Sequence, residues 1–314
     1  MEIAPIVIFS LAKYHHLKNL IKDIENNENS KYSEKYAFID YASKNKISIV
    51  REYLQGKGYK CIFRPFRYGL YRNICEGVSY VLKKHEYAIF LEEDLRISRN
   101  ILYQMTNSLK SLKDHPNVGQ VHGHTPAIKD LSPEFFLRKS GSLCWGTWSK
   151  IWFELNHDTD FLIREIREKN LINFMNLDSP YNFYQMLIDR HQNKNDSWAI
   201  IFYANMILKN LLTFYPSSNS VYHAGFADGT NRYGILFPSR ADGCVNQNIP
   251  YRKMSLIDVE ESNPDYLIFR NYMITSRSFF RKLLRKIFDF YTKLILKKRY
   301  ELVPNIDFYK GYHN

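Results

Sequence analysis

The sequence predicts an α/β fold in which helices flank a mostly parallel sheet. Four strand-like apolar segments lie within the first 125 residues, and helical apolar spacing follows each of them. Alternation of strands and helices with short links is typical of βαβ units. The chain has 314 residues, of which 45% are hydrophobic, so it can bury a large core.

The elements of the first part follow one another in a regular order. The predicted strands are Pro5–Leu11, Tyr36–Asp40, Tyr59–Phe63 and Tyr87–Leu91. The helices between them are Tyr14–Asn27, Asn45–Gly56 and Leu70–His85. A helix over Ser98–Asp114 and a strand over Val118–His122 follow. Because such sheets bind ligands at the carboxyl ends of their strands, the residues after each strand are the first candidates for a site.

The regular alternation of strands and helices ends after the fifth predicted strand. A Trp-rich stretch, Leu143–Trp152, precedes a mainly helical region. The predicted helices are Phe161–Asn170, Tyr181–Gln192 and Ser197–Asn210, and short strands follow at Leu211–Tyr215 and Ser220–His223. A glycine-containing loop then runs from Gly225 to Pro250.

The positive charge is concentrated in one tail. The net charge is +12, but the window from Arg270 to Arg299 holds ten basic residues and one acid, Asp289, and so carries +9. The rest has 34 basic and 31 acidic residues, or +3, which argues against the broad basic groove of a nucleic-acid-binding protein. Within 276–299, apolar residues recur on one helical face with basic residues beside them. This pattern predicts an amphipathic helix on an anionic membrane surface, with packing on the rest of the protein as the alternative.

Targeting and redox signals favour a cytoplasmic protein. No run of eighteen apolar residues is present, and the N-terminus lacks the basic start and cleavage site of a secretory signal. The four cysteines are scattered without metal-ligand spacing, so we expect reduced thiols.

An acidic triplet, Glu92-Glu93-Asp94, ends the fourth predicted strand. Consecutive carboxylates at a buried strand end repel one another unless a cation or hydrogen-bond donors compensate them. Oxygen ligands of this kind suit Mg²⁺ or Mn²⁺, and such an ion can offset the charge of a leaving diphosphate. The alternative is a solvated acidic turn, or caps for the helix predicted at Ser98.

Further motifs surround the triplet in a defined order over the first 235 residues. They are Phe9-Ser-Leu-Ala-Lys-Tyr-His-His-Leu-Lys18, Phe38-Ile-Asp40, Gly69-Leu-Tyr-Arg-Asn-Ile-Cys-Glu-Gly-Val78, Trp145-Gly-Thr-Trp148, Asp196-Ser-Trp198, Tyr215-Pro216 and Gly225-Phe-Ala-Asp-Gly229. In this order the chain resembles bacterial glycosyltransferases of surface-polysaccharide clusters. These are relatives of the animal β-1,2-N-acetylglucosaminyltransferases and have the GT-A fold.

The resemblance implies an inverting glycosyltransferase that uses a UDP-sugar with Mn²⁺ or Mg²⁺ and a lipopolysaccharide or capsule precursor as acceptor. It makes Asp94 the metal ligand and Asp196 the general base, although Asp196 is also a good N-cap for the next helix. Asp40 would contact the uracil base, and the charge of Lys13 would meet a phosphate. The implied donor-binding residues are Ser10, Lys13, Asp40, Arg72, Asn73, Glu92 and Glu93.

The resemblance implies two halves of one GT-A domain, and the charge distribution marks a separate tail after residue 265. Residues 1–125 would bind the nucleotide sugar, residues 126–265 would bind the acceptor and supply the base, and residues 266–314 would form the basic tail. With a lipid-linked acceptor, we expect the protein on the inner face of the cytoplasmic membrane.

Several positions depart from the family pattern and put the identity of the donor in question. Ala12-Lys13 replaces Asn-Arg, Tyr41 replaces Gly, Glu93 replaces Asp and Asn231 replaces His, and an Asn is missing near Arg67.

Other polar and aromatic residues have two interpretations. His122 and His124 could approach a sugar and His223 the metal, or each could be a hydrogen-bonded wall residue. Trp145 and Trp148 could stack on a sugar or belong to the core.

Two other functions remain as alternatives. A membrane-associated nucleotidyl- or phosphotransferase would need an early glycine-rich loop, which residues 10–16 lack. The other alternative is a degenerate, non-catalytic GT-A binding protein.

Overall fold

The structure is a computed structural model that describes residues 3–27, 29–125, 128, 130–178, 181–216, 220–224 and 259–275. Its strands are β1 (Ile6–Ser10), β2 (Lys35–Ile39), β3 (Tyr59–Phe63), β4 (Tyr87–Glu92), β5 (Leu95–Ile97), β6 (Val118–His122), β7 (Glu134–Leu137), β8 (Trp145–Trp148), β9 (Leu212–Pro216) and β10 (Val221–His223). Its helices are α1 (Tyr14–Glu25), α2 (Lys44–Leu54), α3 (Leu70–Leu82), α4 (Ile101–Leu112), α5 (Ser149–Trp152), α6 (Thr159–Glu168), α7 (Ile172–Met175), α8 (Phe183–His191), α9 (Trp198–Leu208) and α10 (Asn263–Thr275).

Eight of these strands form one mixed sheet in the order β3-β2-β1-β4-β8-β6-β9-β7. The first four are parallel, β6 and β9 run in the same direction as they do, and β8 and β7 are antiparallel to their neighbours. The predicted mostly parallel α/β sheet is therefore confirmed. The carboxyl ends of β1, β2, β4 and β6 lie along one edge, which is the edge where ligands are expected.

Helix α3 approaches the sheet closely because it carries a glycine at the contact. Ile74, Val78 and Val81 bury one face of the helix, as the three- and four-residue spacing predicts. A Cβ on Gly77 would lie 2.5 Å from Phe9 Cε1 and 3.0 Å from Phe38 Cγ. The close approach holds the first turn of α3 near the carboxyl ends of β1 and β2.

The Trp-Gly-Thr-Trp segment forms β8, a strand that the sequence analysis did not predict. Trp145 is 1% exposed, and its ring centroid lies 4.5 Å from those of Phe90 and Trp198. Trp148 donates its indole N–H to the Leu109 carbonyl at 3.1 Å. Both tryptophans are therefore core residues, so the sugar-stacking interpretation does not hold for either.

The strands at Tyr59–Phe63 and Val118–His122 agree with prediction residue for residue, and most helices agree within a few residues. The helix predicted from Ser98 begins later, at Ile101, because Leu95–Ile97 forms β5 and pairs with β10. Asn100 stands at the N-cap of this helix, so the acidic triplet does not cap it. The weakly periodic strand β7 was also missed.

The chain between residues 259 and 275 returns to the body of the protein. Asp265 accepts a hydrogen bond from the Ser132 N–H at 2.7 Å, and Arg270 donates to the carbonyls of Leu177 and Asp178. Helix α10 therefore spans the boundary predicted at 265/266. The predicted membrane segment 276–299, the loop from Gly225 to Pro250 with Asn231, and Cys244 lie outside the described residues. Within the described ranges, no helix has the length and apolar character needed to cross a bilayer.

Candidate active site

Glu93 holds the turn that follows β1. It is 5% exposed and accepts hydrogen bonds from the Ser10 hydroxyl and, at 3.0 Å, from the Lys13 backbone N–H. Ser10 in turn accepts from the Ala12 N–H at 2.9 Å. The polar atoms of Ser10 and Glu93 thus bond to each other and to the turn, and their predicted contact with a donor stays a prediction. Ala12 takes a left-handed φ of 58°, which Asn tolerates better than Ala, so this departure has a backbone cost.

Glu92 lies at the last position of β4, opposite Phe9 of β1. Burial, followed by the nearby charges of Asp94 and Glu93, raises the pKa of its carboxyl to about 8. Glu92 thus lies in an environment that disfavours its ionised form.

Asp94 carries a buried side-chain oxygen, Oδ1, that no described residue satisfies with a hydrogen bond. Its Oδ2 lies 3.6 Å from His223 Nε2, which the pairing of β10 with β5 brings to this position. Burial lowers the pKa of His223 although Asp94 opposes the shift, so the imidazole is favoured in its neutral form.

These two side chains fit a divalent cation. A buried carboxylate oxygen without a partner and a neutral imidazole are a suitable donor pair for Mn²⁺, and the carboxylate also suits Mg²⁺. Within the described ranges, no three His, Cys, Asp or Glu residues form a group that could hold a metal. A metal held by these two side chains would therefore need further ligands from outside this part of the chain, such as water.

Asp40 accepts hydrogen bonds from the backbone of the turn before α3. Its oxygens accept from the backbone N–H groups of Tyr41, Tyr68 and Gly69 at 2.9, 2.7 and 3.0 Å. Arg67 Nε lies 3.2 Å from Asp40 Oδ2. This set of donors occupies both carboxylate oxygens, and the predicted contact with uracil stays a prediction.

Asn73 and Arg72 lie on different sides of α3. Asn73 is buried, donates to the Phe38 carbonyl and accepts from Arg64 Nε at 2.9 Å. Arg72 is exposed, pairs with Glu76, and lies 3.9 Å above the Tyr68 ring. Of these two predicted donor residues, Arg72 has its polar group on the surface, whereas the amide of Asn73 is buried.

Asp196 reaches from the start of α9 to the first turn of α3. The N-cap of α9 is Ser197, whose hydroxyl accepts from the Ile200 N–H, so the capping alternative for Asp196 is wrong. Asp196 Oδ2 instead accepts from the Tyr71 N–H at 3.2 Å, and its side chain stays 50% exposed. The carboxylate is thus oriented by a helix N-terminus and open to solvent.

His122, the last residue of β6, and His124, just after it, are bonded within the wall of the protein. His122 Nδ1 lies 2.7 Å from the His124 carbonyl, and His122 Nε2 accepts from the Leu143 N–H at 3.2 Å. His124 Nδ1 lies 3.0 Å from the Val221 carbonyl. Burial holds the pKa of His122 well below its ordinary value. The wall interpretation therefore fits His122 and His124.

Sequence reasoning missed Arg190, which lies beside Asp196. Its Nη2 is 4.0 Å from Asp196 Oδ1, and its guanidinium carbon is 4.5 Å from the centroid of the Tyr71 ring. Nothing in the local sequence marks it, because it reads as an ordinary basic residue in the last turn of a helix.

Two of the solved structures that overlap with part of this chain are glycosyltransferases. The crystal structure of GalNAc-T7 with UDP, GalNAc and Mn²⁺ is 12% identical, with a TM-score of 0.39, and covers 49% of this chain and 37% of that chain. The glycosyltransferase GlyE of Streptococcus pneumoniae TIGR4 is 13% identical, with a TM-score of 0.35, and covers 69% of this chain and 45% of its own. This chain thus matches less than half the length of either protein. No protein-family model and no curated protein matches the sequence.

Proposed function

We propose that this chain is an inverting glycosyltransferase that moves a sugar from a UDP-sugar to a bacterial surface-glycan precursor. The observation that carries the proposal is the buried Asp94 Oδ1, which no described residue satisfies and which lies next to His223 at the edge of the sheet where a diphosphate would bind. The family resemblance of the motifs around it supports the same function.

The chain's own residues have separable tasks in this reaction. Asp94 and His223 would hold Mn²⁺ or Mg²⁺, which when bound offsets charge on the leaving diphosphate. Asp196 takes the proton of the acceptor hydroxyl. The hydroxyl oxygen then bonds to the anomeric carbon while the bond from that carbon to the diphosphate breaks, and the electron pair leaves with UDP.

One experiment tests binding and transfer separately. Calorimetry with UDP and Mn²⁺ is run on the wild type, Asp94→Ala, Asp196→Asn and the exposed control Asp114→Ala. We expect UDP to bind all except Asp94→Ala, and chelation of the metal to abolish binding. Release of UDP from a panel of UDP-sugars with acceptor extracts should fall by about 10²–10⁴-fold in Asp196→Asn, the range for loss of a general base.

Two results would contradict the proposal. Equal UDP affinity of the wild type and Asp94→Ala would show that Asp94 is not part of a donor-binding site. Metal-dependent UDP binding without turnover of any donor would favour the non-catalytic binding protein instead.

We further propose that residues 276–299 attach the protein to the inner face of the cytoplasmic membrane. The support is the sequence: the window from Arg270 to Arg299 carries +9 and combines an apolar stripe with flanking basic residues. Each basic group near an anionic surface contributes about 1 kcal/mol, so reversible attachment is favoured.

A further inference from the structure

Arg190 is a largely buried arginine without a hydrogen bond to any described residue. Its side chain is 15% exposed, and its Nε is buried with no acceptor in the described part of the chain. A guanidinium has five N–H donors, and buried donors normally find acceptors. The guanidinium of Arg190 therefore has N–H donors left over, and a ligand with oxygen acceptors could satisfy them.

The position of Arg190 is set by two neighbours. The guanidinium carbon lies 4.5 Å from the Tyr71 ring centroid, so the aromatic ring supports the planar group. Nη2 lies 4.0 Å from Asp196 Oδ1, which is beyond hydrogen-bonding distance. Asp196 instead bonds to the Tyr71 N–H, so Arg190 and Asp196 stand side by side without closing a bidentate pair.

Glu76, a carboxylate on α3, forms no ion pair with Arg190. Glu76 pairs with Arg64 at 3.1 Å and with Arg72 at 2.7 Å. The only ion-pair partner of Arg190 among the described residues is thus Asp196.

We propose that Arg190 binds an oxyanion of the acceptor, a carboxylate or a phosphate, and so selects acidic acceptors for the base Asp196. This inference rests on the proposed role of Asp196 in glycosyl transfer. It names the class of acceptor, which the proposed function leaves open.

The charges during the reaction explain why an anionic group is needed. Before the reaction, Asp196 and Arg190 carry −1 and +1. When the acceptor hydroxyl passes its proton to Asp196, that carboxyl becomes neutral and the buried guanidinium loses its neighbouring charge. An anionic group on the acceptor keeps Arg190 compensated throughout, and bonds between guanidinium and oxyanion are among the strongest in proteins.

The test measures binding of three defined sugars in the presence of UDP and Mg²⁺ by ligand-observed NMR. The anionic probes are methyl β-glucuronide and glucose 6-phosphate, and the neutral probe is methyl β-glucoside. The proteins are the wild type, Arg190→Gln, Arg190→Lys and Arg164→Gln. Arg164 is the matched control, since it is an exposed arginine 5.6 Å from the Phe161 ring on α6.

We expect the wild type and Arg164→Gln to bind at least one anionic probe about tenfold more tightly than the glucoside. Arg190→Gln should lose this preference, and Arg190→Lys should keep part of it because the charge remains without the planar fork. The better anionic probe tells a carboxylate acceptor from a phosphate acceptor.

A preference that persists in both Arg190 variants would overturn the inference, as would a wild type that binds no anionic probe better than the neutral one. Affinity for UDP in the same samples separates the two proposals. Normal UDP binding without anion preference rejects only the role of Arg190, whereas an Arg190-dependent preference without UDP binding rejects the glycosyltransferase proposal.

Discussion

Gly69 and Asp196 meet at the first turn of α3, and the glycine makes room for the carboxylate. Gly69 has a φ of 82°, and a Cβ there would lie 2.6 Å from Asp196 Oδ2. Its N–H donates to Asp40, while the Tyr71 N–H, two residues on, donates to Asp196. A single turn therefore positions one carboxylate of the proposed donor side and one of the proposed acceptor side.

Replacement of Gly69 by Ala should impair transfer beyond its effect on stability. Both Gly69→Ala and the control Gly58→Ala place a side chain at positive φ, which costs about 1 kcal/mol. A Cβ on Gly58, at φ 75°, would meet nothing within 4 Å, so only Gly69→Ala displaces Asp196. We expect similar losses in the free energy of unfolding, and a fall in kcat confined to Gly69→Ala. Equal kcat in the two variants would show that Asp196 does not depend on this turn.

At the scale of elements, Lys139 connects the segment after β7 with α8 and α9. Its ammonium lies 4.8 Å from the Phe183 ring centroid and 4.6 Å from that of Tyr203, and it donates to the Ser140 carbonyl. No carboxylate of the described residues pairs with it, and burial lowers the pKa of Lys139 from 10.5 to about 8. The charged form is therefore disfavoured in the folded protein.

This shift predicts a pH-dependent gain in stability for Lys139→Met. Below pH 8 the folded wild type bears the full cost of the partly buried charge, on the order of 1–3 kcal/mol. Between pH 8 and 10.5 the unfolded chain binds more protons than the folded one, so the wild type gains stability as pH rises. The advantage of Lys139→Met in urea unfolding should thus be largest at pH 7 and shrink towards pH 10. The exposed control Lys194→Met should show a constant difference, and a constant difference for Lys139→Met as well would refute the prediction.

At the scale of the whole molecule, the two halves predicted at residue 125 share one sheet. Strand β8, from the second half, lies between β4 and β6 of the first half. Trp145 of β8 packs between Phe90 of β4 and Trp198 of α9. A fragment ending at residue 125 would thus lack β8, the strand that joins β4 to β6.

Helix α10 determines where the basic tail can be removed. Phe269 is 7% exposed, and Arg270 bonds to two carbonyls of the body, so a cut near residue 268 would damage the core. Truncation after Thr275 should leave the melting temperature within a few degrees of the wild type and abolish flotation with anionic liposomes. Liposomes of neutral lipid should float neither protein. Equal flotation of the truncated protein would refute membrane attachment through 276–299.

Apart from β5, the sequence by itself determined the order of strands and helices in the first part of the fold. Apolar periodicity is local, so Tyr59–Phe63 and Val118–His122 could be predicted residue for residue. The same periodicity showed that the acidic triplet and Asp40 lie at the carboxyl ends of strands. Strand β8 could not be found in this way, because a short buried strand rich in tryptophan has no distinctive period.

Only the tertiary structure decided what each polar side chain does, because the partners that use up its atoms are remote in the chain. Glu93 bonds to Ser10 across 83 positions and Asp196 to Tyr71 across 125, so neither contact leaves a local pattern. Among the described residues, Asp94 keeps a buried oxygen without a hydrogen bond, Asp196 bonds to the first turn of α3 and does not cap its own helix, and Arg190 lies beside it. The sequence thus determined where the candidate site lies, and long-range hydrogen bonds decided which of its groups remain available to a ligand.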